Sequence, residues 1–295
     1  MNVGVVGNPN YPDLGAFLAT LQQKAASAGF KLFTEERIQA LWPTGDGAVP
    51  PLSEVPPDQL ECLITLGGDG TLLRGARLLN GAATPVLGLN LGRVGFLTTA
   101  GPESLDFALD AVARRAYIIE PRLALQSTIS GKNVKAGRVE PLVLNDIVVH
   151  KGGVARVVRV KVAVDGDEVA QYSADGIIVS TPTGSTAYSM SAGGPIVVPT
   201  VDAIVVTAIC PHTLAVRPLV LGATAVVSIQ PIPPWSDEVL VSFDGQVGAP
   251  IQPGEKIEVR RSDHPVNLIR LGPESFFKRL RKKLHWGDLS DRTRK

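Results

Sequence analysis

The sequence predicts an α/β unit followed by a mostly antiparallel β unit. Up to about residue 121, short apolar runs alternate with segments whose apolar residues recur at helical spacing. From about Arg122 the helical spacing gives way to Val- and Ile-rich runs alternating with polar residues, divided by turns such as Asp165-Gly166. With 295 residues and 44% hydrophobic content, the chain can supply a core to each of two domains, expected over residues 1–121 and 122–271.

Residues 3–6 form the first expected strand, and Leu14, Phe17, Leu18, Leu21 and Ala25 mark a helix behind it. Residues 42–58 contain five prolines and three acidic residues without periodicity, which predicts a mobile surface loop. A strand over 60–66 runs into Gly67-Gly68-Asp69-Gly70-Thr71, and a helical pattern covers 72–79. A buried strand over 85–89 enters the glycine-containing loop 92–98, before a helix over about 102–115. In the second half, strands are expected at 123–129, 142–150, 157–164, 168–172, 203–209, 225–230, 239–243 and 256–260. Near the C-terminus, residues 274–284 place Phe276, Phe277, Leu280 and Leu284 at helical spacing among five basic residues, the pattern of an amphipathic helix packed on a domain.

Charge and cysteine usage narrow the function classes. With 29 Lys+Arg against 28 Asp+Glu, the net charge of +1 provides no field for nucleic acid or an acidic membrane. Cys62 and Cys210 lie far apart in apolar runs, without metal-ligand spacing, and are expected to be buried thiols. The N-terminus lacks a basic, then apolar, signal pattern, and no apolar stretch is long enough to span a bilayer, so a cytoplasmic protein is expected. The four histidines show no mutual spacing suited to a metal.

Two loops carry chemistry. A strand that stops at Gly67-Gly68 and resumes as helix at Thr71 lets backbone amides face an anion, because glycine has no side chain to block the approach. Neither the P-loop nor the dinucleotide fingerprint has this spacing. A carboxylate beside a phosphate loop is unfavourable unless it serves a metal or accepts a proton, so Asp69 points to phosphoryl transfer. The second loop follows the apolar run 177–179, where Thr181, Thr183, Ser185, Thr186, Tyr188, Ser189 and Ser191 suit either a helix cap or an anionic or sugar-bearing ligand.

Residues 66–74 (Leu-Gly-Gly-Asp-Gly-Thr-Leu-Leu-Arg), the 92–98 loop, Asn145-Asp146, and Asp175-Gly176 followed by Thr181-Pro182-Thr183-Gly184-Ser185-Thr186-Ala187-Tyr188 together resemble the NAD kinases. The motifs occur in that family's order, and residues 276–286 resemble its closing helix. The resemblance implies a Rossmann-like N-terminal domain with the glycine-aspartate loop, completed by about residues 272–295, and a β-rich NAD-binding domain. It implies transfer of the γ-phosphoryl of ATP to the 2′-hydroxyl of the adenosine ribose of NAD, with Mg²⁺ carried mainly by the ATP phosphates. Asp69 would accept the proton, Gly67, Gly68, Gly70 and Thr71 would form the phosphate loop, and Gly70, Arg74 and Phe96 would lie beside the nucleotide. Asn145 and Asp146 match an Asn-Glu pair that holds a ribose, with Asp one methylene shorter here. Asp175, Thr186, Ala187, Tyr188, Ser189, Met190 and Ser191 match adenine and ribose contacts, and Arg156, Ser173 and Gln246 match more variable positions. The resemblance also implies homodimers or homotetramers. Two rivals stand beside it: a lipid or sugar kinase sharing the glycine-aspartate loop, and a non-catalytic NADP(H)-binding sensor.

Overall fold

The computed structural model describes residues 1–43, 48–92, 95–98, 100–131, 134–153, 157–213, 215–233, 238–272 and 275–285. The chain divides into two compact units, Met1–Pro121 with Asn267–Lys295, and Arg122–Val266.

The first unit is built on a six-stranded sheet in the order Lys31–Thr34, Asn2–Gly7, Cys62–Leu66, Val86–Leu89, Val266–Arg270, Ile118–Arg122. The pairings from Lys31–Thr34 through Val266–Arg270 are parallel. Every residue of Cys62–Leu66 is buried, as an uninterrupted apolar strand requires when it is covered on both faces. The helix Leu14–Ser27 contributes Leu14, Leu18, Leu21 and Ala25 to the core, one stripe at 3.6-residue spacing. Ligands in such sheets bind beyond the carboxyl ends of the strands, and it is there, after Leu66, that the chain turns at Gly67 into the helix Asp69–Leu78. Gly67 has φ of +150°, and a Cβ there would lie 2.5 Å from the Thr71 hydroxyl.

The second unit holds two six-stranded sheets whose pairings are antiparallel. One runs Asp167–Ala174, Val158–Val164, Val227–Pro231, Glu255–Arg261, Leu125–Gly131, Val134–Val139, and the other Leu219–Gly222, Ala203–Ile209, Gly176–Ser180, Asp146–Lys151, Val239–Phe243, Gln246–Ile251. Their facing side chains, among them Ile177, Val179, Val160 and Ile257, form one core.

Four expectations change. The Pro-rich segment is docked rather than loose over its described part: Trp42, Val49 and Val55 are buried, the Trp42 indole donates to the Thr34 hydroxyl at 2.7 Å, and short 3₁₀ turns form at Leu52–Glu54 and Pro57–Gln59. Three apolar anchors outweigh a composition that disfavours regular structure. Cys62 is buried, and burial beside Glu61 pushes its thiol up to about 12, but Cys210 is exposed, because the strand ends at Ile209 and the chain turns at Cys210 with φ of +45°. The chain rejoins the first unit at Asn267, not at about 272, because Val266–Arg270 is a strand of that unit's sheet. Finally, the helix Phe276–Leu284 buries Arg279 and Leu280, while Phe277 is 63% exposed.

Ile177 is fully buried at the centre of its sheet. Ile177→Ala should lower the unfolding free energy by about 2–5 kcal/mol. Urea unfolding followed by circular dichroism measures this, and a loss below about 1 kcal/mol would contradict the packing described.

Candidate active site

In the first unit the geometry centres on Asp69, the first residue of its helix, with Gly68 at the N-cap. Its carboxylate accepts three hydrogen bonds from successive backbone amides of one loop. Phe96 N–H donates to Oδ2 at 2.7 Å, and Leu97 and Thr98 N–H donate to Oδ1 at 3.0 and 3.3 Å. The loop is braced by Gly95 N–H donating to the Thr98 hydroxyl at 3.1 Å. Gly95 leaves the carboxylate its seat, since a Cβ there would sit 1.8 Å from Asp69 Oδ1 and displace it. Gly68 and Gly70 are different: a Cβ at either would meet nothing within 4 Å, so they leave open backbone beside the helix start. Helix amides that lack an intrahelical acceptor favour an anion at this end.

Thr71 is buried, and its N–H closes the turn onto Gly68 O at 3.0 Å. Arg74, expected beside the nucleotide, pairs with Glu35. Its Nη2 donates to Glu35 Oε2 at 2.9 Å and to the Gly7 carbonyl, and its Nε lies 2.9 Å from Glu35 Oε1. The pair ties the helix to the ends of Asn2–Gly7 and Lys31–Thr34.

In the second unit a pocket of about 620 Å³ brings together Asn145, Asp146, Asp175, Ala187 and Tyr188 from the expected set. Asn145 O accepts from Thr181 N–H at 2.9 Å, and the backbone is so close that a Cβ on Gly184 would fall 2.1 Å from that carbonyl. The Asn145 side-chain amide has no partner among the described residues, so its donors and acceptor are open to a ligand. Asp146 is 4% exposed. Burial, and then the neighbouring Asp244, push its carboxyl up to about 7, opposed by the Tyr188 backbone N–H. Asp175 forms an ion pair with Lys151 at 2.7 Å. A free amide, a proton-retaining carboxyl and an ion pair around one cavity suit ribose hydroxyls and the edge of a base.

The rest of the hydroxyl-rich stretch turns inward. Thr186 donates to Thr183 O, Ser189 is fully buried against the Thr207 hydroxyl at 3.0 Å, and Ser185 bonds Pro182 O and Val197. Met190 is half-buried and Ser191 exposed, neither lining the pocket. Ser173 sits in the strand Asp167–Ala174, where its carbonyl accepts from His212 N–H, and Gln246 is exposed at the start of its own strand. Arg156 lies outside the described residues.

Sequence reasoning missed Lys151, a lysine at a strand end with nothing to mark it, while Asp244, whose Asp-Gly pair reads equally as a hairpin turn or a ligand contact, lines the same pocket. Asp244 accepts from the N–H groups of Leu144, Asn145 and Asp146 at 3.1, 2.7 and 3.3 Å. His150 also lines the pocket, its Nδ1 2.9 Å from Lys151 O. Among the described residues, no group of three or more His, Cys, Asp or Glu is placed to hold a metal ion, and no helix is long and apolar enough to cross a membrane.

Because the Asp146 carboxyl is raised from 3.8 to about 7 in the fold, the native state holds a proton that the unfolded chain releases. The resulting stabilisation is complete below pH 3.8 and is lost as pH rises through about 7. Asp146→Asn should remove this contribution, so the stability difference between variant and wild type should grow in the variant's favour from pH 5 to pH 8, as read by thermal melts. A pH-independent difference would show that Asp146 stays ionised.

Comparison with known proteins agrees with this geometry. Residues 50–117 match the ATP-NAD kinase N-terminal domain and residues 144–271 the ATP-NAD kinase C-terminal domain. The NAD kinase of Gemmatimonas aurantiaca is 48% identical over 293 residues, covering 99% of this chain and 98% of that protein. Among solved structures, yeast NADH kinase in complex with NADH aligns at a TM-score of 0.88 and 27% identity over 100% of this chain and 90% of that one. An NAD kinase from Archaeoglobus fulgidus in complex with ATP aligns at 0.73 and 25% identity over 97% and 99%. Sequence and fold over nearly the full length thus agree, and the chain belongs to the ATP-NAD kinase family of phosphotransferases.

Proposed function

We propose that ATP is the donor, NAD the acceptor, and Asp69 the group that takes the proton from the 2′-hydroxyl of the adenosine ribose. The observation that carries this is the Asp69 carboxylate, fixed by three amides at the start of a helix beside two open glycines. A carboxylate offers about four acceptor sites, and three are filled, two on Oδ1 and one on Oδ2. The remaining site is on Oδ2, which makes it the atom that accepts the proton. As the ribose oxygen forms its bond to the γ-phosphorus, the bond from that phosphorus to the β-bridging oxygen breaks, ADP departs, and the proton rests on Asp69. The Gly67–Thr71 backbone faces the phosphates, and Asn145, Asp146, Asp175 and Tyr188 hold NAD.

A divalent ion, normally Mg²⁺, would arrive on the ATP phosphates and offset their charge. Arg74 contributes through its ion pair with Glu35, by fixing the helix that presents Asp69 and Gly70. Thr186, Ser189, Met190 and Ser191 adjoin the lining residues Ala187 and Tyr188 in sequence, and we read them as supporting the same NAD contacts. The ionisable side chains of Asp146, Lys151, Asp175 and Asp244 on the lining would have to be desolvated by an acyl chain, which disfavours a lipid acceptor. We also infer a cytoplasmic protein that assembles as a homodimer or homotetramer, a reading supported by the open sheet edges Leu219–Gly222 and Gln246–Ile251.

A coupled assay for NADP formation, with ATP or polyphosphate as donor and NAD or NADH as acceptor, tests the donor and acceptor assignments. Asp69→Asn should keep the fold and NAD affinity and lose at least about 10²-fold in kcat. Near wild-type turnover would refute the base assignment. Gly95→Ala forces the carboxylate from its seat, and should lower kcat by about 10²-fold with NAD binding retained in calorimetry. Wild-type turnover in that variant would mean that the loop-held position of Asp69 is dispensable.

A further inference from the structure

Arg279 is the largest fully buried side chain in the described chain, 2% exposed, on a helix otherwise rich in exposed cations. No carboxylate pairs with it among the described residues, and its Nε and Nη2 have no hydrogen-bond partner there. Its one hydrogen bond among the described residues runs from Nη1 to the Phe96 carbonyl at 2.8 Å. Burying a cation for one neutral acceptor is costly, so the fold retains an expense that packing alone does not explain.

The bonded carbonyl is informative. Phe96 C=O and Leu97 N–H are the two ends of one planar peptide group, and that N–H donates to Asp69 Oδ1. A cation on the oxygen end draws electron density from the nitrogen end and strengthens the bond it donates. The preceding peptide donates to Oδ2 through Phe96 N–H, so fixing Phe96 from behind fixes both contacts to the carboxylate. The helix is itself anchored by Ser275, whose side chain caps Lys278 N–H at 3.2 Å.

We propose that Arg279 is a positioning residue for Asp69: its buried cation holds and polarises the Phe96–Leu97 peptide that seats the carboxylate. The C-terminal helix is thereby a component of the phosphotransfer machinery as well as packing. The proposal rests on the assignment of Asp69 as proton acceptor.

The test is steady-state kinetics on the full chain with Arg279→Met, Arg279→Gln, Asp69→Asn and the double variant Asp69→Asn/Arg279→Met. Arg279→Met should lower kcat about tenfold with KM for ATP and NAD within about twofold. In the Asp69→Asn background the same substitution should change kcat by less than about twofold, because its target is gone. Wild-type kcat in Arg279→Met, or the same fold loss in both backgrounds, would overturn the proposal. Should Arg279→Met fail to fold, Arg279→Gln keeps one amide donor without the charge: lowered kcat at unchanged KM supports the role of the cation, and wild-type kcat sinks it. An inactive Asp69→Asn beside a fully active Arg279→Met refutes only the relay. A fully active Asp69→Asn refutes the base assignment, and the relay with it.

Discussion

The capture of the Asp69 carboxylate by three consecutive amides is the constraint from which the first unit's site follows. A carboxylate left half-buried without donors would cost several kilocalories per mole, whereas charge-assisted bonds to backbone N–H groups are among the stronger ones available. Meeting that need dictates local sequence. The loop must pass close enough for Phe96, Leu97 and Thr98 to point at one side chain, so a Cβ at 95 would displace the carboxylate. The strand must give way to the helix within two residues, which places Gly67 at positive φ. Position at the helix start adds a favourable dipole for the negative charge. Neutralisation by fixed amides rather than by a mobile lysine keeps the carboxylate oriented before any ligand arrives, and a preoriented acceptor needs less rearrangement in the transition state.

The same device recurs in the second unit with its roles exchanged. Asp244 gathers the amides of Leu144, Asn145 and Asp146 much as Asp69 gathers those of 96–98. Here the carboxylate is the holder, and the held segment carries the ligand-facing groups. Asp244 has φ of +49°, and its own N–H returns to Asp146 O at 3.0 Å, so the hairpin turn and the carboxylate clamp are one feature. The cost of the arrangement falls on Asp146, whose carboxyl lies near a second negative charge in a dry place and therefore keeps its proton to about pH 7. A protonated Asp146 can donate as well as accept, and this widens what the shorter side chain can offer a ribose hydroxyl.

Much of this was legible in the sequence. Long apolar runs located the central strands, and the glycine-aspartate string located Asp69, because both signals depend on residues adjacent in the chain. Edge strands such as Leu219–Gly222 and Val134–Val139 were not visible, since short strands at a sheet edge lack a clear period and are defined by distant partners. The same limit hid Lys151, the amide clamp made by Asp244 and the Arg74–Glu35 pair, each of which acquires its role from contacts far along the chain. Arg279 shows the limit most sharply. Periodicity assigned Phe277 to the packed face and the basic residues to solvent, yet one arginine lies inside and Phe277 outside. Hydrophobic spacing predicts burial only where burial is driven by transfer from water, and a buried cation bound to one loop carbonyl is driven by something else.

The hydroxyl-rich segment places Ala187 and Tyr188 on the pocket and also builds the backbone on which other lining groups sit. Its composition suggests a row of groups facing a sugar, but most of its hydroxyls close on its own backbone and on neighbouring strands. Thr181 donates through Oγ1 to Leu144 O at 2.6 Å and through N–H to Asn145 O at 2.9 Å, and Ser180 Oγ reaches the same Asn145 carbonyl. Gly184 lies against the Asn145 backbone with no room for a Cβ. Carbonyls of 144–145 are thus held from the Thr181–Gly184 side, while N–H groups of 144–146 are held by Asp244. A backbone gripped on both its donors and its acceptors leaves only the side chain of Asn145 uncommitted. The small, hydroxylated residues allow close approach and supply compact donors, and they hold the Asn145 side chain in place on the pocket.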